Sequence, residues 1–566
     1  MHCCIWLAAG EGVKMNRRDF IQTASAAALA ASLRRDGIAE GNDPAIISTT
    51  AGRVRGRITD GVASFLGVPY GRDTKLTRFQ APLTVEAWQG IRDCFAYGDR
   101  APQLGGRRTS RTNATRLDTY SLPPDEGLES EDCLHLNVWT PALKASVKPT
   151  KPVLVYIHGG AFNGGTVNSV LYDGTRLCKR GDVVVVTVNH RLNAFGFLYL
   201  AEITQEAAFA DSGNVGMLDL VLALQWVKNN IARFGGDASR VTIFGQSGGG
   251  AKCATMMAMP PAHGLFHHVM SMSGQQVTAA PLTIATERTR QFLKKAGLAD
   301  VPPEKLRSAI ESAPFETLKD AANVSSAWLP VVDGRSLPRD PFSPDAPPLS
   351  ASVPMILGNT HDETRGLIGG SQPALFQLEW KDVAEALKKN VGVYLGPVSP
   401  EVVVDRYREW YPAYSPSDVF FAAATAFRSW PGQVIEAERR AESAAQARTW
   451  VYQMNWPSPV AGGKFGAPHT IDIPFFFDNL SVAQGVVGEG TVAVSAAQPL
   501  ADAMSESLIA FARTGNPNSA AVPNWPSYDL KGRATMIWNV PPKVENDPRG
   551  RERELAATAH YRQPGT

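Results

Sequence analysis

Hydrophobic residues along this chain gather into short runs, and between the runs they recur at intervals of three and four. The strand-like runs are Leu136 to Thr140, Val153 to His158, Val183 to Asn189, Arg240 to Phe244, Val269 to Met272, Met355 to Leu357 and Thr449 to Met454. They are too short for helices and lack alternation, which predicts strands buried on both faces. Gly216 to Phe234 instead carries Leu218, Val221, Leu222, Leu224, Trp226 and Val227 at helical spacing. Buried strands alternating with helices predict an α/β architecture, a large and mostly parallel central sheet with helices on both faces. Residues 282–322 and 376–446 read as long helical excursions, expected above the carboxyl ends of the strands, where open α/β sheets bind ligands. Ahead of all this, Ala45 to Leu66 alternates apolar with polar residues around Gly52, Gly56 and Gly61, predicting two or three short antiparallel strands. Residues 100–130 are polar and rich in Pro and Gly, as in a surface loop at the rim of a pocket.

Composition narrows the class without deciding the chemistry. A chain of 566 residues, 44% hydrophobic and 19% charged, has material for a large core, and no linker divides it. Residues 45–555 are therefore expected to form one domain, after an N-terminal extension (1–44) and before a short C-terminal tail (556–566). A net charge of +2 gives no reason to expect nucleic acid, and the absence of an eighteen-residue apolar run gives none to expect a membrane-spanning helix. Asn16-Arg17-Arg18-Asp19-Phe20-Ile21-Gln22, followed by the Ala-rich run Thr23 to Leu33, resembles a twin-arginine export signal, with Met15 as the natural start. A periplasmic or secreted protein is expected on that basis. An oxidising compartment permits disulfides, and Cys94, Cys133, Cys178 and Cys253 leave three full pairings open. Neither a metal-ligand cluster nor a dinucleotide fingerprint is present, so no cofactor is expected.

The chemistry lies where the apolar runs end. Val241-Thr242-Ile243-Phe244 leads into Gly245-Gln246-Ser247-Gly248-Gly249-Gly250, the pattern of a sharp strand-to-helix turn that holds a serine hydroxyl in the open. A helix over roughly Gly250 to Met259 would aim its N-terminal dipole at that hydroxyl. Tyr156-Ile157-His158-Gly159-Gly160-Ala161-Phe162 follows another strand. Backbone amides of its small residues Gly160 and Ala161, with that of Gly248, are candidate donors to a tetrahedral oxyanion. Pro354 to Glu363 is an apolar strand ending in acidic residues, and His469 sits in a loop ahead of Phe475 to Phe477. The chain order Ser247, Glu363, His469 is that of serine hydrolases with this type of turn, with Asp362 as the rival acid.

With those residues in place, the chain resembles the type-B carboxylesterases, the family that includes cholinesterases and bacterial para-nitrobenzyl-type esterases. The resemblance spans about residues 45–550. It is carried by Phe65 to Tyr70, Glu131 to Val138, His158 to Phe162, Gly213-Asn214, Phe234 to Asp237, Val241 to Gly250 and Phe511 to Asn518. It implies an α/β-hydrolase fold and cleavage of small-molecule carboxylic esters through an acyl-enzyme on Ser247, with His469 as general base, Glu363 as acid and Gly160, Ala161 and Gly248 as the oxyanion hole. Ser273 resembles a hydroxyl that supports the acid. Gln246 and Gly248 stand where Glu and Ala are usual, and Thr364 stands where Gly is usual. The usual cysteine partner of Cys133 is missing near Ala101, with Cys94 the nearest substitute. Rival readings are a hydrolase of amides, carbamates or lactones and a non-catalytic binding module. Residues 100–130, Trp328 and Phe420 to Trp430 are candidates for the pocket lining.

Overall fold

The seven apolar runs become neighbouring strands of one thirteen-stranded sheet in a computed structural model that describes residues 45–103, 121–141 and 149–564. The expected export signal, Met15 and most of the expected rim loop lie outside the described residues. In chain order, the strands are β1 (Ala45–Ser48), β2 (Arg53–Thr59), β3 (Val62–Pro69), β4 (Ile91–Asp93), β5 (His135–Pro141), β6 (Lys151–Ile157) and β7 (Val184–Val188). They continue as β8 (Gly236–Gln246), β9 (His268–Met272), β10 (Met355–Thr360), β11 (Thr449–Met454), β12 (Ala534–Trp538) and β13 (Lys543–Asn546).

Their spatial order is β1-β2-β3-β5-β7-β6-β8-β9-β10-β11-β12-β13, with β4 beside β2. From β7 to β12 every neighbour is parallel; the flanking pairs in this order are antiparallel, as expected for β1 to β3, while β4 runs parallel to β2. The central strands are apolar throughout because both faces are covered. Along β6, Val153, Val155 and Ile157 join the core on one side and Leu154 and Tyr156 join the core on the other. Strands β4, β12 and β13 and the long C-terminal helix Gly490–Thr514 are elements beyond those that the sequence pattern predicts.

Helix α1 (Val215–Asn230) is buried on nearly every side. The stretch Ala207–Phe234 is long and apolar enough to cross a bilayer, yet 72% of its most apolar window is buried inside the protein, which accounts for its composition. Both expected helical excursions are present, and the second forms an apolar cluster of its own around Leu387, Tyr407 and Phe420. Cys94, Cys133, Cys178 and Cys253 are all buried and unpaired, so none of the three disulfide pairings forms. The last described residues run back along the body, where Gln563 accepts from the Val277 N–H at 2.9 Å and donates to the Gln275 carbonyl at 2.8 Å.

Strand order places the site. Chain order reverses at β6, with β7 on one side and β8 on the other, and such a reversal at the carboxyl ends of the strands is where open α/β sheets bind ligands. The segments after β10 and β11 open at the same end of the sheet.

Candidate active site

Ser247 follows β8 directly, at φ 58° and ψ −126°, a region that side chains rarely occupy. Surrounding glycines make the turn possible. A Cβ on Gly249 would lie 2.0 Å from the Ile157 carbonyl oxygen, and one on Gly245 would lie 2.5 Å from the Gly249 carbonyl carbon. Helix α2 (Gly248–Met256) begins immediately after the serine, two residues earlier than the sequence predicts. Its first-turn N–H groups have no partner within the helix and face the serine end.

The loop after β6 wraps against that turn. Gly160 (φ 91°) and Ala161 (φ 54°) hold left-handed conformations, and the Asn163 and Gly164 N–H groups both donate to the Gly160 carbonyl, at 3.2 and 3.0 Å. Gly248 packs so close that a Cβ there would sit 2.5 Å from the Ala161 Cα, and one on Gly159 would sit 3.2 Å from the Ser247 Cβ. These approaches set the backbone of Gly160, Ala161 and Gly248 beside the serine turn. Among the described residues none of the three donates to a backbone acceptor. Amides held ready by a rigid loop and a helix start are what an oxyanion requires.

Glu363 opens the short helix α3 (Glu363–Leu367) after β10 and is wholly buried. One carboxylate oxygen accepts from the Thr360 N–H at 2.8 Å and from Asn359 Nδ2 at 3.3 Å, and the other is hydrogen-bonded to His469 Nδ1. Burial alone would raise its pKa. The facing imidazole, the hydrogen bonds and the nearby Ser273 hydroxyl outweigh burial and hold the carboxyl below its ordinary value. Ser273 stands where the resemblance places it, close enough to favour the charged form but without a hydrogen bond of standard geometry.

Asp362, the rival acid, turns elsewhere. It pairs with His361 at 3.1 Å and Arg365 at 3.2 Å and accepts from the Ala467 N–H at 2.9 Å. Against the effect of burial, those partners bring its carboxyl down to about 2. Its work is to join the loop after β10 to the loop that carries His469.

His469 is 9% exposed and lies beside the serine turn: Gln246 Nε2 is 3.2 Å from His469 Nε2. The neutral amide where a carboxylate is usual thus touches the imidazole itself. Thr364, in place of the usual Gly, is also accommodated. Its hydroxyl donates to the Phe421 carbonyl at 2.9 Å and meets Thr425 Oγ1 at 2.8 Å, at the start of a π-helical turn, Thr425–Ser429.

Trp328 and Phe420 are buried in core clusters, with the Trp328 indole N–H donating to the Ala322 carbonyl at 3.1 Å. Three neighbours of the site carry no signal in the sequence: Asn359, which donates to Glu363, Lys252, described below, and Asp472. The last is buried, accepts from the Tyr452 hydroxyl at 2.7 Å, and has its carboxyl pushed up to about 7, first by burial and then by the neighbouring Glu363 charge.

Residues 43–556 match a family described as the carboxylesterase family. The chain is 33% identical to the para-nitrobenzyl esterase of Bacillus subtilis, over 90% of this chain and 98% of that protein. It is 31% identical to the phenmedipham hydrolase of Pseudarthrobacter oxydans, over 87% of this chain and 94% of that one. Among solved structures, a carboxylesterase of Geobacillus stearothermophilus superposes with a TM-score of 0.73 at 34% identity, covering 90% of this chain and 99% of that one.

Proposed function

The chain belongs to the carboxylesterase family of serine ester hydrolases, and from that premise we propose that Ser247 is the nucleophile, His469 its general base and Glu363 the acid. The observation that carries the assignment is the buried Glu363 carboxylate bonded to His469 Nδ1, with the ring against the residue preceding Ser247. A serine hydroxyl is a weak nucleophile at neutral pH and needs a base to take its proton. Glu363 keeps the Nδ1 proton on the ring, which makes Nε2 the nitrogen that accepts the serine proton. Attack on the ester carbonyl puts negative charge on its oxygen, stabilised by the N–H groups of Gly160, Ala161 and Gly248. His469 returns the proton to the departing alcohol, and water activated by the same ring hydrolyses the acyl-enzyme.

Turnover of p-nitrophenyl acetate by the wild type and by Ser247→Ala tests this reading: the variant is expected to lack turnover, and activity near wild type would refute it. A matched anilide is expected to react far more slowly, and equal rates would assign the site to amides. The Arg17-Arg18 motif supports export to the periplasm or beyond. Fractionation of cells expressing Arg17→Lys/Arg18→Lys protein should then show retention in the cytoplasm, and unchanged export would remove the proposal.

A further inference from the structure

Helix α2 carries, at its fifth residue, a lysine that the mechanism above does not use. Lys252 is completely buried, and among the described residues it has no carboxylate partner. Its ammonium donates to the Ala161 carbonyl at 2.8 Å and to the His158 carbonyl at 3.3 Å, and lies 5.3 Å from the centre of the Phe162 ring. The remaining titratable groups around it are Cys253 on its own helix and His190, which stacks on His158 with ring centres 4.8 Å apart. Burial pushes its pKa down to about 7, so desolvation here is unfavourable to the charge and little offsets it.

A methionine would fill this space without desolvating an amine. What lysine adds is the pair of hydrogen bonds, and their placement is specific. The two carbonyls bracket Gly159, Gly160 and Ala161, the segment holding two of the three oxyanion donors, while the lysine backbone belongs to the helix that begins at the third. We infer that Lys252 is a positioning residue of the oxyanion hole, tying the His158–Ala161 loop to the nucleophile helix so that all three amides face one point. The inference rests on the Ser247 reading above. Misplacing such donors by about 1 Å weakens binding of the tetrahedral state on the order of 10²-fold and leaves ground-state binding largely alone.

Lys252→Met and Lys252→Gln are compared with the wild type on p-nitrophenyl butyrate, with active centres counted by burst titration with diethyl p-nitrophenyl phosphate. Expected for Lys252→Met is a fall in kcat per active centre on the order of 10²-fold with KM within about threefold. Inhibition by benzeneboronic acid, which forms a tetrahedral adduct on serine, should weaken in step with kcat. Lys252→Gln keeps one donor and should fall between the two; if Lys252→Met is insoluble, the same split is read on Lys252→Gln. A kcat within about threefold of wild type in the soluble variant, or a loss shared equally by kcat and KM with boronate affinity unchanged, overturns the inference. Ser247→Ala runs in the same assay. Turnover in that variant sinks the Ser247 assignment itself, whereas an inactive Ser247→Ala beside a fully active Lys252 variant sinks only the positioning role.

Discussion

Replacing Glu363 by Gln keeps the shape of a wholly buried side chain while removing its charge, so its effect follows from the hydrogen bonds it makes and from the loss of the carboxylate facing the imidazole. Two donors, the Thr360 N–H and Asn359 Nδ2, converge on one carboxylate oxygen, and His469 Nδ1 meets the other. The glutamine carbonyl must take the two-donor position, since an NH2 group there would face N–H groups head on. Its NH2 then points at His469 Nδ1, and the ring accommodates it only by moving its proton to Nε2. A ring protonated at Nε2 is unable to accept the Ser247 proton. The expected loss in kcat at pH 7 is about 10³- to 10⁴-fold, equivalent to about 4–5.5 kcal/mol of transition-state stabilisation. Asp362→Asn is the control. It weakens ties to Arg365 and His361 while an oxygen can still accept from the Ala467 N–H. It should therefore lower stability by about 1–3 kcal/mol and leave kcat within about tenfold. Initial rates on p-nitrophenyl butyrate, with urea unfolding of each variant, give both quantities. If Asp362→Asn loses as much turnover as Glu363→Gln, or if Glu363→Gln stays within tenfold of wild type, the acid has been misassigned.

Two further predictions concern charges at buried positions. Gln246→Glu places a carboxylate where the Gln246 amide now lies 3.2 Å from His469 Nε2, favouring the protonated ring that is useless as a base. The acid limb of kcat/KM should move up by about one pH unit with the alkaline plateau retained, and an unmoved limb would contradict the contact. Glu436 is fully buried, accepts from the Gln276 N–H at 2.6 Å through one oxygen, and among the described residues has no partner for the other. Burial pushes its carboxyl from an ordinary 4.5 up to about 8. Between those pH values the unfolded chain gives up this proton and the folded protein keeps it, so stability falls as pH rises, at about 1.4 kcal/mol per pH unit for this group. Glu436→Gln should therefore exceed wild type in urea stability at pH 8, by a margin that narrows toward pH 5; a margin independent of pH would be inconsistent with the buried acid.

The parallel centre of the sheet was legible because strands covered on both faces are nearly all apolar, as in Val184 to Val188, where Thr187 is the single polar residue. Strand β12 was missed because Ala534 to Trp538 is a five-residue run between polar turns, indistinguishable by pattern from a piece of core. The serine turn was legible because its steric demands fall on named glycines: Gly245 and Gly249 have no room for a Cβ. Choosing Glu363 over Asp362 depended instead on which way two adjacent carboxylates point, something a linear chain expresses only through likeness to its relatives. Lys252 is the extreme case. Nothing in Gly250-Ala251-Lys252-Cys253 distinguishes a solvated lysine from one sealed beneath the His158–Ala161 loop, because its partners are carbonyls 94 and 91 residues earlier.

The central claim is that one strained serine performs the chemistry, and covalent labelling tests it most directly. Wild-type protein treated with a p-nitrophenyl alkylphosphonate, digested and mapped by mass spectrometry should carry one phosphonyl group per chain, on Ser247, with ester turnover lost in proportion to labelling. Inactivation with the adduct on another residue, or turnover that persists once Ser247 is fully labelled, would contradict it.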